Sequence, residues 1–91
     1  MLRPYDDIER IATHVIGCAI EVHRILGAGL LEGVYTECLD RELRLHGLCA
    51  ERDRRVPIIY KGERLGEMLT IDLLVENCVV IEVKAAAPRV C

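Results

Sequence analysis

The sequence predicts an α+β (α/β-like) domain: two N-terminal helices, then a mainly antiparallel sheet of three to four strands. Three observations carry this. Apolar residues recur at helical spacing from Ile8 to Leu43. After Gly47 the pattern changes to alternating and β-branched residues. Two late runs, Leu65 to Val75 and Cys78 to Lys84, contain consecutive apolar residues, as central strands covered on both faces do.

Each element has its own signals. Asp6-Asp7-Ile8-Glu9 resembles a capping box, with Glu9 three residues after Asp6. Ile8, Ile11, Ala12, Val15, Ile16, Ala19, Val22, His23 and Leu26 then keep helical phase, and Gly27 is the natural stop. On this phase His23 is a partly buried, hydrogen-bonded histidine rather than a metal ligand. Gly27-Ala28-Gly29 is a tight link between neighbouring helices, too weak a pattern for a nucleotide site. The second helix starts near Leu30 or Leu31, with Val34, Tyr35, Cys38, Leu39, Glu42 and Leu43 in phase, and ends at Gly47. Tyr35 reads as core with a polar tip. A first strand runs from Cys49 to Tyr60, where Pro57 marks an edge or a bulge. Lys61-Gly62-Glu63 is a turn, and Glu76-Asn77 joins the last two strands. Ala85-Ala86-Ala87 could begin a helix that Pro88 stops.

Ninety-one residues make one domain with a modest core and marginal stability. The chain has no Trp or Phe, so the core must be built from Leu, Ile, Val and Ala. Charged residues interrupt every apolar run well before ~18 residues, which excludes a membrane span. The N-terminus lacks the build of a signal peptide, so a cytoplasmic protein is expected. The five cysteines form no C-x-x-C pair, which argues against zinc and iron–sulfur sites. Cys18, Cys38 and Cys78 read as small core residues. The net charge of −3 argues against a broadly basic nucleic-acid binder, yet Arg52, Arg54, Arg55, Lys61 and Arg64 cluster in the middle third. That cluster is either a solvated strand edge or a contact for phosphates.

The chemistry lies in Asp72, Glu82 and Lys84. They carry charge inside apolar strands, which costs several kcal/mol unless the charge is paired or binds a metal. Hard cations such as Mg²⁺ take carboxylate oxygens and water. Asp72, Glu82 and the Val83 carbonyl could hold one ion, and Lys84 could orient a water or stabilise developing charge. The bland alternative is a structural ion pair of Lys84 with Glu82 or Asp72. Register decides whether the carboxylates meet. A two-residue loop at Glu76-Asn77 pairs Val75 with Cys78 and turns Glu82 away from Asp72. A three-residue loop, or a bulge, pairs Val75 with Val79 and sets Asp72 opposite Glu82, with Asn77 the candidate left-handed residue.

Asp72, a gap of about ten residues, then Glu82-x-Lys84 is the pattern of the PD-(D/E)XK nucleases. The chain also resembles the bacterial GxxExxY family of that superfamily. Its motif is Gly29-Leu30-Leu31-Glu32-Gly33-Val34-Tyr35, and the resemblance runs from about residue 6 to 85. It implies a restriction-endonuclease-like fold and a metal-dependent nuclease using Mg²⁺ or Mn²⁺. Asp72, Glu82 and Lys84 match the superfamily positions, and Glu32 matches a helix glutamate that joins the metal shell. A first-turn glutamate favoured by the helix dipole is an equal reading of Glu32. The implied partner is nucleic acid, with DNA favoured over RNA. Family members are longer and continue into a helix bearing a Gln, whereas this chain ends seven residues past Lys84. The resemblance therefore implies a truncated single domain over residues 1–91, an exposed apolar sheet face and a homo-oligomer. The alternative function is a catalytically inactive nuclease-fold module acting in binding or oligomeric assembly.

Overall fold

The computed structural model of the chain describes residues 4–84, with side chains from residue 7 onward. The possible helix at Ala85-Ala86-Ala87, and Cys91, lie outside the described residues. Two helices, α1 (Pro4–Leu26) and α2 (Glu32–Leu45), precede three strands, β1 (Ala50–Tyr60), β2 (Glu63–Val75) and β3 (Val79–Ile81). The strands form one antiparallel sheet in the order β1-β2-β3.

Val15, Cys18 and Val22 of α1 recur at helical spacing and are buried, with Ile11 and Leu26 packed beside them. They meet Leu39 and Leu43 of α2 and Leu73 and Val75 of β2 in a single core. Ile16 and Ile20, 60% and 64% exposed, stand outside it. The apolar stripe of α1 is wider than the face it buries. His23 is also exposed, not partly buried as its phase suggests. The helix begins at Pro4, ahead of Asp6, so the Asp6-to-Glu9 spacing falls inside it rather than at its start. Proline suits a first helical position because its missing N–H is not needed there.

The helix ends follow from glycine. Gly27 adopts φ 71° and Gly29 φ 94°, and the Gly27 N–H bonds the His23 carbonyl at 2.8 Å. At the end of α2, Gly47 has φ 78°. The Gly47 N–H bonds the Arg44 carbonyl and the Leu48 N–H bonds the Leu43 carbonyl, each at 3.0 Å, forming a Schellman cap. Tyr35 has the polar tip expected of it. Its hydroxyl donates to the Gly27 carbonyl at 2.6 Å and accepts from the Leu30 N–H at 3.2 Å. The ring thereby holds the α1–α2 link closed from inside the first turns of α2.

Three expectations are corrected. Only β2 is central, and only one of its faces is covered: Ile71, Leu73 and Val75 are buried, while Val80 on the neighbouring strand is 55% exposed. Both helices lie on one side among the described residues, so no second layer reaches the other face. Cys78 is exposed at the hairpin tip rather than in the core. Thr36 and Asp40, not foreseen, are buried on α2. The Asp40 carboxylate accepts from Arg44 Nε at 3.0 Å and Thr36 Oγ1 donates to the Glu32 carbonyl at 3.1 Å, which satisfies both polar groups.

Candidate metal centre and cleft

The β2–β3 hairpin has the odd loop that the carboxylate pair requires. Val75 pairs with Val79, Leu74 with Val80 and Leu73 with Ile81. Glu76 (φ 52°) and Asn77 (φ 56°) are both left-handed, as a type I′ turn demands. The Cys78 N–H closes that turn on the Val75 carbonyl at 3.0 Å, and Cys78 is the extra residue that shifts the register. Asn77 is left-handed as expected; Glu76 is an addition. It is held by contacts to Cys49, the residue ahead of β1. Its N–H bonds the Cys49 carbonyl at 2.9 Å and its Oε1 accepts from the Cys49 N–H at 3.0 Å.

One step beyond Leu73 and Ile81, the same register sets Asp72 level with Glu82. Asp72 is tied to the residue after Glu82: its Oδ2 accepts the Val83 N–H at 2.8 Å. Leu73 and Val75 point into the core, so alternation puts Asp72 on the other face of β2, where it is half-buried. Like charges directly opposite each other on a ladder destabilise it. Among the described residues, neither Asp72, Glu82 nor Lys84 makes an ion pair, which removes the structural-pair reading of Lys84. The Asp72 and Glu82 carboxylates and the Val83 backbone carbonyl are hard oxygen donors. They suit Mg²⁺, which takes one or two carboxylates and fills its remaining positions with water and phosphate.

Glu32 shares a cleft with Glu82 and Lys84 but not with Asp72. It sits in the first turn of α2, on the helix side of the sheet. There it lines a cleft of about 730 Å³ with His23, Tyr35, Ile81, Glu82 and Lys84. Glu82 and Val83 border both this cleft and Asp72; Asp72 itself does not line it. Among the described residues, no group of three His, Cys, Asp or Glu side chains is close enough to hold a metal ion. The sheet explains this: Asp72 and α2 lie on opposite sides of β2.

Sequence reasoning missed Asp53. Arg52 pairs with Leu73 and Arg54 with Ile71, so Asp53 occupies the β1 position level with Asp72, across from Glu82. Its φ of 52° is left-handed inside a strand, a conformation Asp tolerates better than most residues. The bend brings Arg54 and Glu51, three residues apart, into an ion pair at 2.8 Å.

A family model of the PD-(D/E)XK nuclease superfamily matches residues 9–89. The chain belongs to that superfamily, and its two helices and antiparallel sheet fit the restriction-endonuclease-like fold. No curated protein and no solved structure matches the chain significantly. No described helix is long and apolar enough to cross a membrane.

Proposed function

We propose that this chain is a metal-dependent nuclease that hydrolyses phosphodiester bonds of nucleic acid, of the GxxExxY type within its superfamily. One observation carries the reading: the hairpin register sets Glu82 level with Asp72, and neither carboxylate makes an ion pair among the described residues. Asp72, Glu82 and the Val83 carbonyl would hold Mg²⁺ or Mn²⁺. A bound ion supplies polarisation of the phosphate and a lowered pKa for the attacking water. The Val83 N–H holds the Asp72 carboxylate in place through Oδ2, and the carboxylate would supply an oxygen donor to the ion. Lys84, two residues from Glu82, orients the water and offsets charge on the pentacoordinate phosphorus. Glu32 acts from the cleft side, through water or substrate rather than as a direct partner of Asp72. Exposed apolar side chains, Val80 on the open sheet face and Ile16 and Ile20 on α1 among them, support self-association in solution.

The test is Mg²⁺-dependent cleavage of single-stranded, duplex and branched DNA, and of RNA, by the wild-type chain and by Lys84→Ala. The proposal expects metal-dependent cleavage that falls at least ~10²-fold in the variant. Metal-independent cleavage, or equal cleavage by both proteins, overturns it. Binding without cleavage would instead favour a nuclease-fold binding module.

A further inference from the structure

The β1–β2 hairpin extends beyond the core. Every residue from 59 to 70 is exposed, and both faces of the ribbon are open. The radius of gyration is 15.4 Å, against about 12 Å for a compact chain of this length. The tip is a type I′ turn at Lys61 (φ 49°) and Gly62 (φ 81°). A register shift between Pro57 and Ile59 bends the ribbon on the way there.

Charge is concentrated on this ribbon. From Ala50 to Val75 it holds five of the chain's twelve basic residues and five of its fifteen acidic ones, with all five cations between residues 52 and 64. Only Arg54 is ion-paired. Arg52, Arg55, Lys61 and Arg64 have no acidic partner among the described residues. Arg55 pairs across the ladder with Thr70, which shares the Asp72 face of β2. One unpaired cation therefore lies beside the candidate centre on the same face. Tyr60 is 62% exposed near the tip, with the Lys61 ammonium 5.6 Å from its ring centre.

We propose that this hairpin is an arm that grips B-form duplex DNA beside the scissile phosphate. The proposal rests on the nuclease reading for its orientation, though not for its binding. Phosphates complement the unpaired cations in an otherwise acidic chain. The shape chooses the duplex: the major groove of B-DNA admits a two-stranded ribbon, whereas the deep, narrow major groove of A-form RNA does not. Arg64 lies eight positions before Asp72. At ~3.3 Å per residue the cations thus reach about 26 Å from the centre, or about 8 base pairs at ~3.4 Å each.

The experiment measures binding to a ~30-base-pair DNA duplex in EDTA, where cleavage cannot occur, as a function of salt. The probes are the full chain, Asp72→Ala, and a variant carrying Arg52→Gln, Arg55→Gln, Lys61→Gln and Arg64→Gln. These four residues are exposed and outside the core, and circular dichroism checks that the variant folds. The wild type and Asp72→Ala should bind with similar salt slopes. The fourfold variant should lose about 3–4 units of log–log slope and at least ~100-fold in affinity. A duplex RNA of equal length should bind at least ~10-fold more weakly than DNA. Undiminished binding by the folded fourfold variant, equal binding of duplex RNA, or no binding by the wild type overturns the arm. A catalytic failure with the arm intact would appear as normal binding and salt slope without cleavage in Mg²⁺.

Discussion

Replacing Asp72 separates a structural hydrogen bond from a metal ligand. In the wild type, Asp72 Oδ2 accepts the Val83 N–H at 2.8 Å and ties the end of β3 to β2. Asp72→Ala removes a hydrogen bond to a charged acceptor, worth about 1.5–3 kcal/mol when fully shielded. Asp72 is only half-buried, so about 1–2 kcal/mol is expected, lowering Tm by roughly 5–12 °C in a domain of this size. Asp72→Asn keeps a carbonyl oxygen that can accept the same N–H and should lose under about 1 kcal/mol. Metal linkage responds differently. With Mn²⁺ at tenfold its Kd, binding to the native state adds about 1.4 kcal/mol to the wild type, a Tm rise of roughly 6–11 °C. Both variants lack the anionic oxygen and should show almost none of that rise. The assay is a thermal melt followed by circular dichroism, with and without Mn²⁺. A metal-dependent rise in Asp72→Asn equal to that of the wild type would show that Asp72 is not a metal ligand.

The other predictions concern the frame of the site. Leu73 is fully buried between the helices and the sheet, and Leu73→Ala should cost about 2–5 kcal/mol in urea unfolding. Tyr35→Phe removes both hydroxyl bonds across the α1–α2 link, so a loss of about 1–2 kcal/mol is expected, with faster amide exchange at Leu30. Burial and the neighbouring Glu42 push the Cys18 thiol up. The folded state therefore holds this proton more tightly than the unfolded one. Its contribution is complete below the unfolded thiol pKa and is lost as pH rises through the folded value, so stability should decline on the alkaline side. Alkylation at mildly alkaline pH should label exposed Cys49 and Cys78 well before Cys18.

Much of the site was legible because side-chain parity is strict in strands. Asp72 and Glu82 can share a face only if the Glu76-Asn77 hairpin carries an extra residue, and Cys78 is that residue. Tyr35 was legible for a similar reason: its ring follows the apolar phase of α2, and its hydroxyl then needs a partner. The phase of α1 was less clear, because Ile16 and Ile20 continue a stripe broader than the face that α2 and the sheet bury. Burial on both faces of β2 could not be read from consecutive apolar residues alone. Such runs show what a strand can bury, whereas the covering layer depends on chain elsewhere. Asp53 escaped notice because a single left-handed residue leaves no trace in strand periodicity. Glu32 was grouped with Asp72 by sequence pattern, but the layer order separates them: α2 covers the face of β2 from which Asp72 points away.

The most direct test of the account is the anomalous scattering of crystals soaked in Mn²⁺. One ion is expected, bounded by the carboxylates of Asp72 and Glu82 and the carbonyl of Val83. An ion bound elsewhere, or none beside Asp72 at saturating Mn²⁺, would contradict it.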